Sequence, residues 1–391
     1  MHKVLTLNQI AIEGLERFPR DRYELGTEIA DPDAILVRSH KLAADDAKAR
    51  LRAVARAGAG VNNIPVPAFT DRGIVVFNTP GANANSVKEI VVAGMLLAAR
   101  DIAGGLGFVR GLGTIADAAE LHRTVEAEKK RFRGGEIAGK TLGVVGLGAI
   151  GSRVAETGLK LGMRVLGYDP AISVDAAWRL PAEVERMENL PALLARSDYV
   201  SLHVPAMEQT RGLIDADALR GIRQGAVLLN FAREEIVVPA DIAAALDEGR
   251  LSRYVADFPE PELLGRDDVL LTPHLGASTA EAEQNCAMMA ADQLMDFLEH
   301  GNIRNSVNFP TVILERTGGH RIAVINRNVP KMLGKVLSAL AEQELNIIDM
   351  LNKSRDEIAY NLIDIEAAPT PALMEQLRSI EGVVSVRSFD S

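Results

Sequence analysis

Three short segments of this chain carry residue types suited to moving a proton and a hydride. Arg233 follows the apolar run Ala226–Asn230 in NFAR. His274 follows Val269–Leu271 in LTPHLGAST, and an acid-rich turn, Asp257-Phe-Pro-Glu260-Pro-Glu262, lies between the two. An arginine can pair bidentately with a carboxylate and polarise the carbonyl beside it. A histidine titrates near working pH, so it can take the proton of a hydroxyl. A carboxylate on the far ring nitrogen would fix the tautomer and stabilise the imidazolium. Each residue also has a plainer reading: a surface ion pair, a loop histidine, a solvated acidic turn. His203, in SLHVP, shares the strand-end setting and rivals His274. Residue type and position alone do not choose between them.

Such chemistry needs a hydride carrier, and TLGVVGLGAIG supplies a place for one. An apolar strand, Leu142–Val145, runs into G-x-G-x-x-G at Gly146, Gly148 and Gly151. A helix-compatible segment, Ser152–Leu161, follows, and a second apolar strand, Met163–Tyr168, ends on Asp169. The first glycine allows a tight turn and the second lets the backbone approach a pyrophosphate. The third lets helix and strand pack closely, and the helix N-terminus holds the negative charge. Ala149 and Ile150 lie within this loop. A carboxylate at Asp169 suits ribose hydroxyls and repels a 2′-phosphate. Pro170, Ala171 and Ile172 follow it with no arginine, which points to NAD rather than NADP.

These elements sit in a chain of 391 residues, enough for two or three domains. A net charge of −10 argues against nucleic acid as the main ligand. No apolar run reaches the length of a membrane span, and MHKVLTLNQI does not read as a signal peptide. The single cysteine, Cys286, lies in a helical pattern and reads as buried packing. Together these features predict a soluble, cytoplasmic protein.

Short apolar runs at Val4–Leu7, Ala34–Val37, Leu51–Ala55 and Ile74–Val76 predict a first small parallel sheet. Ser86–Asp101 reads as a long apolar helix. Gly104–Arg133 reads as a helix interruption or loop, because its glycines lack a preceding strand. After Asp169, further runs at Tyr199–His203, Ala226–Asn230, Tyr254–Ala256 and Val269–Leu271 continue a doubly wound α/β pattern. Thr279–Glu299 reads as a helix and Ile303–Pro310 as a linker. The tail changes rhythm. Strands at Arg321–Ile325, Asn346–Lys353, Ile358–Glu366 and Val383–Ser388 alternate with helices at Lys331–Gln343 and Pro371–Ser379. That βαββαβ order predicts a ferredoxin-like third domain.

GLGAIG, NFAR, TPHLGAST and AGAGVNN, with the terminal domain, jointly resemble a D-isomer-specific 2-hydroxyacid dehydrogenase over essentially the whole chain. The resemblance implies two Rossmann-like domains, one binding substrate (1–95 and 280–310) and one binding NAD (96–279). An ACT-like domain (318–391) would follow. It implies an Arg–Glu–His trio, with Arg233 and His274 carried over directly. The position of that acid in related sequences, counted from the aspartate and the arginine, corresponds to Glu262 here. Glu260, which precedes Pro261, is the other candidate. His203, Pro205 and Asp257 would contact the cofactor, Asp257 through the nicotinamide carboxamide. Arg56, Ala82 and Asn83 would bind substrate, with Arg38 and Lys41 as candidates for a phosphate. No metal is called for. Within the family, the chain is most similar to members that oxidise D-3-phosphoglycerate with NAD at the start of serine biosynthesis. A glyoxylate or hydroxypyruvate reductase, or a non-catalytic NAD-sensing regulator, are the other readings.

Some residues depart from the family pattern. Glu234 stands where a glycine usually follows the arginine, and Pro205-Ala-Met207 replaces a common Pro-Leu-Thr. In the tail, Asn326, Asn328 and Asn346 resemble contacts to an L-serine effector, yet Lys331 replaces the usual glycine. The resemblance also implies a homodimer or homotetramer.

Overall fold

The computed structural model describes residues 1–389, apart from the side chain of Asp175. The chain divides into two compact units. One comprises Met1–Asn83 with Ala280–Ser391, and the other comprises Ala84–Thr279.

Among the described residues, the first unit opens with five strands: β1 (His2–Leu7), β2 (Tyr23–Gly26), β3 (Ala34–Val37), β4 (Ala53–Arg56) and β5 (Val75–Phe77). They form one parallel sheet in the order β2-β1-β3-β4-β5. β3 is buried along its length, as expected of a parallel strand covered on both faces. β2, Tyr-Glu-Leu-Gly, was not legible as a strand, because four mixed residues carry no period. The helix Ala280–His300 returns to this sheet and buries Cys286, Ala290, Leu294 and Phe297 in its core. Cys286 is therefore packing.

The second unit holds β6 (Thr141–Val145), β7 (Arg164–Tyr168), β8 (Glu185–Arg186), β9 (Tyr199–Leu202), β10 (Ala226–Asn230), β11 (Leu251–Ala256) and β12 (Val269–Leu271). Their order is β12-β11-β10-β9-β6-β7-β8. β6 is flanked by β7 and β9, so the strand order reverses there. Parallel sheets of this kind bind ligands in the crevice beyond the strand C-termini at such a reversal. The helix Ala84–Ala99 packs on this sheet, and a side chain at Gly94 would press on Val255, Phe231 and Leu229.

Ile102–Gly111, expected as an interruption or loop, is a helix, and Ala118–Glu128 is another. The first starts because Asp101 accepts a hydrogen bond from the Gly104 amide at 3.0 Å. That cap offsets part of the cost of its interior glycines.

The tail supplies β13 (His320–Arg327), β14 (Ile347–Arg355), β15 (Ile358–Ile365) and β16 (Val383–Phe389), antiparallel in the order β14-β15-β13-β16. The ferredoxin-like expectation matches this order. Helices Met332–Ala341 and Pro371–Ser379 cover one face through Val336, Leu340, Leu373 and Leu377. The other face shares the first unit's core, where Tyr360 and Leu362 join Phe297 and Phe309. Arg321 and Asp364, both fully buried, form a bidentate pair with both bonds at 2.7 Å. Arg321 also donates to the carbonyls of His300 and Leu314. The tail is thus tied to the end of the long helix and to the linker.

Lys331 caps the helix Met332–Ala341 with φ at 73°, in the left-handed region. This explains why glycine suits the position. Lys331→Gly is expected to stabilise the protein by about 1 kcal/mol or less, since relief of strain exceeds the entropy glycine adds to the unfolded chain. A higher urea midpoint at unchanged slope would show it. No single helix among the described residues is long and apolar enough to cross a membrane.

Candidate active site

The glycine loop leaves β6 at the sheet reversal. Gly146 has φ at 89°, and a Cβ there would lie 2.6 Å from the His203 carbonyl oxygen. A Cβ on Gly151 would lie 1.9 Å from the Gly146 oxygen. Gly148 faces open space, with no atom near its Cβ position. Two glycines are thus demanded by the protein itself, and the third leaves room for a ligand to meet the backbone. The helix Gly151–Lys160 begins immediately after.

Asp169 ends β7, and both its oxygens are oriented by backbone amides. Leu147 donates at 2.8 Å and Ala171 at 3.0 Å. The carboxylate keeps free lone pairs toward a cavity of about 640 Å³, lined by Asp169, Ile172, Leu180, Arg186 and Met187. That volume and mixed lining suit an adenosine moiety. The loop and Asp169 therefore fit a dinucleotide. Arg186 was not foreseen there. It arrives on the two-residue strand β8, paired beside Gly167, and nothing in the sequence marks so short a strand.

His203 is half-buried beneath this loop. Burial holds its pKa down to about 3, and its Nε2 is 2.8 Å from the Ser201 hydroxyl. A ring that stays neutral at working pH cannot take up and return a proton. This weighs against His203 as the base.

His274 is exposed and has φ at 57°. Such a backbone persists only where surrounding structure holds it. Here Asp257 holds it. Its 2% exposed carboxylate accepts from the Thr272 hydroxyl at 2.6 Å, the Leu275 amide at 2.7 Å and the Gly276 amide at 2.7 Å. The Asp257 carbonyl accepts from the His274 amide at 3.0 Å. Asp257, expected to contact the nicotinamide, is here the clamp of the histidine loop. Phe258 meets the His274 ring edge-on, with centroids 5.1 Å apart.

Arg233 lies just beyond β10, half-buried. It donates to its neighbour's carbonyl, Ala232, at 2.6 Å, and Asn230 grips the Arg233 carbonyl at 2.9 Å. Among the described residues no carboxylate pairs with its guanidinium, which remains available to an anionic substrate.

Glu260 and Glu262 flank Pro261 on the same turn. Neither hydrogen-bonds to His274 among the described residues. Glu262 is exposed, while Glu260 is half-buried. The Glu260 carboxyl is raised above its ordinary range by burial first, then by Glu234 and Glu262. Glu234, the residue in place of the usual glycine, thus acts on this turn. Replacing it with glutamine removes a negative charge and lets Glu260 ionise more readily. The acid limb of a kcat/KM–pH profile is expected to move to lower pH in Glu234→Gln; an unmoved limb would separate Glu234 from the chemistry.

In the first unit, Arg56 ends β4 and braces two loops, donating to the carbonyls of Arg38 at 3.0 Å and Gly60 at 2.6 Å. Arg38 pairs with Glu283 at 2.6 Å, and Lys41 is exposed. Ala82 and Asn83 form the turn that precedes the helix Ala84–Ala99. The tail asparagines are engaged within the protein. Asn326 is buried and paired to Asn361, Asn328 donates to the Asp356 carbonyl, and Asn346 to Glu366.

Residues 103–276 match the family model described as D-isomer specific 2-hydroxyacid dehydrogenase, NAD binding domain. A D-3-phosphoglycerate dehydrogenase of Haemophilus influenzae is 34% identical over 383 residues, covering 94% of this chain and 89% of that protein. The chain belongs to the D-isomer-specific 2-hydroxyacid dehydrogenase family. A D-3-phosphoglycerate dehydrogenase of Methanocaldococcus jannaschii is also 34% identical, over 84% of this chain. The chain spans 61% of that relative's length. Among solved structures, D-mandelate dehydrogenase of Rhodotorula graminis shares the fold, with a TM-score of 0.66, 23% identity, and coverage of 81% of this chain and 99% of that one. NAD+-bound 3-phosphoglycerate dehydrogenase of Entamoeba histolytica gives a TM-score of 0.61 at 25% identity, covering 78% and 98%. The cofactor of this family member is NAD, and the glycine loop with Asp169 lies inside the matched domain.

Proposed function

We propose that the protein oxidises D-3-phosphoglycerate to 3-phosphohydroxypyruvate, the first step of L-serine biosynthesis. The observation that carries this reading is the exposed, clamped His274 in a chain with 34% identity to D-3-phosphoglycerate dehydrogenases. Bound NAD would supply the hydride acceptor, held by Gly146, Gly148, Ala149, Ile150, Gly151 and Asp169, with His203 and Pro205 beneath and beside it. His274 takes the hydroxyl proton. Arg233 pairs with the substrate carboxylate and polarises the carbonyl oxygen as it forms.

Glu262 was favoured by spacing as the partner of His274. The half-burial and raised pKa of Glu260 favour Glu260 for that role instead. We assign substrate binding to the first unit, with Arg56, Ala82 and Asn83 as contacts.

The tail would be an ACT-like regulatory domain. Engagement of Asn326, Asn328 and Asn346 within the fold, and Lys331 at its cap, weigh against L-serine as its effector. A homo-oligomer is supported by the helix Ile102–Gly111, which buries no residue within the chain. Ile102, Leu106 and Val109 share one of its faces and are exposed. An NAD-dependent biosynthetic step supports a cytoplasmic location.

The test is NADH consumption with 3-phosphohydroxypyruvate, hydroxypyruvate and glyoxylate. A kcat/KM at least about 100-fold higher for the phosphorylated acid is expected, the scale of a lost charge-assisted contact. Equal use of hydroxypyruvate would reassign the protein as a general reductase. Absence of turnover despite NADH binding would favour a regulator.

A further inference from the structure

The cavity of about 640 Å³ beside Asp169 is lined by a cation, Arg186, that neither the glycine loop nor the reacting side chains engage. Arg186 stands on β8, the edge strand of the second sheet. Its register partner is Gly167, so β7 places no side chain beside it. Glu185, the other residue of β8, turns to Arg196 at 2.7 Å. Arg186 is exposed, and its guanidinium has no ion pair or hydrogen bond among the described residues.

The topology says what part of a dinucleotide comes to this place. In a doubly wound sheet each half binds one mononucleotide, and β6, β7 and β8 form the half that begins at the glycine loop. The pyrophosphate belongs at that loop and the ribose at Asp169, which ends β7. The base comes next, toward the edge that β8 forms. A guanidinium there has two options: pairing with a 2′-phosphate, or stacking its plane on the neutral face of the base. Charge decides between them. Among the described residues, the lining sets two carboxylates, Asp169 and Glu188, against this one arginine. A 2′-phosphate would meet net negative surroundings, whereas a neutral base incurs no such repulsion. A planar, weakly hydrated guanidinium stacks well on aromatic faces.

We propose that Arg186 is a cofactor-recognition residue: its guanidinium plane stacks on the adenine base of NAD while Asp169 holds the ribose. The inference rests on the family's cofactor and is independent of which hydroxy acid is the substrate.

The test is equilibrium binding by the full-length protein, without turnover. The probes are NADH, ADP-ribose, NADPH and reduced nicotinamide mononucleotide, which lacks the adenosine half. Trp178 is the chain's only tryptophan and adjoins the lining residue Ala177, so its fluorescence reports filling of the cavity by ADP-ribose. Arg186→Gln is expected to weaken NADH and ADP-ribose alike, by about five-fold, the scale of an exposed cation–π contact. Binding of the mononucleotide should not change. Arg186→Lys keeps the charge and loses the plane, and should fall between the natural protein and Arg186→Gln. Because Arg186 is exposed, both variants should melt at the same temperature as the natural protein without ligand. The proposal is overturned if Arg186→Gln leaves NADH and ADP-ribose binding unchanged, or if the mononucleotide weakens by the same factor. It is also overturned if only NADPH is affected, which would assign the cation to a phosphate. Full affinity in Arg186→Lys would overturn it too, since a point charge would then suffice.

Discussion

His274→Asn is expected to lower kcat by about 10³-fold, or about 4 kcal/mol of transition-state stabilisation, while NAD affinity stays within a factor of two or so. Asparagine is the right replacement for a structural reason. His274 sits at φ 57°, a conformation asparagine tolerates better than most residues. The Asp257 clamp on Leu275 and Gly276 would therefore survive. Alanine would confound lost chemistry with a distorted loop. Steady-state kinetics beside an NADH-binding titration separates the two effects. A variant that retains full turnover would remove His274 from the mechanism. The parallel substitution His203→Asn should not abolish turnover through lost proton transfer, because burial already keeps that ring neutral.

The second large effect concerns stability. Asp364→Ala is expected to destabilise the protein by about 3–5 kcal/mol, because it strands the Arg321 charge in a fully buried site. Replacing both partners with apolar residues would recover part of that loss. Recovery would be incomplete here, since Arg321 also satisfies the carbonyls of His300 and Leu314. Those acceptors would be left without a donor. Denaturant unfolding of the single and double variants measures the difference. If Asp364→Ala costs less than about 1 kcal/mol, the pair does not anchor the tail.

The dinucleotide loop was legible because its constraints are local. Gly146, Gly148 and Gly151 each answer a backbone demand within a strand–turn–helix of a few residues. The doubly wound order after Asp169 was legible for a similar reason: apolar runs such as Ala226–Asn230 are buried on both faces and leave a continuous hydrophobic signature. Elements without such a signature were not. The strands Tyr23–Gly26 and Glu185–Arg186 are too short to show a period. The helix Ala118–Glu128 buries nothing within the chain, so no apolar stripe selects it. The helix Ile102–Gly111 was hidden by glycines and is started by a single capping aspartate.

The site divides along the same line. Residue type and strand-end position picked out Arg233, an acidic turn and the two histidines His203 and His274, because reacting groups need reach into a crevice; the family resemblance pointed to His274. Three matters depended on tertiary structure. Burial under the glycine loop neutralises His203. The Asp257 carboxylate turns out to face the histidine loop. Partial burial, and then Glu234 and Glu262 brought close to it, raise the Glu260 pKa. The charge state of a side chain and the partner it finds are set by desolvation and by neighbours distant in the chain. Sequence alone determined which chemistry this protein is equipped for; the packing of distant segments decided which of its ionisable groups are free to perform it.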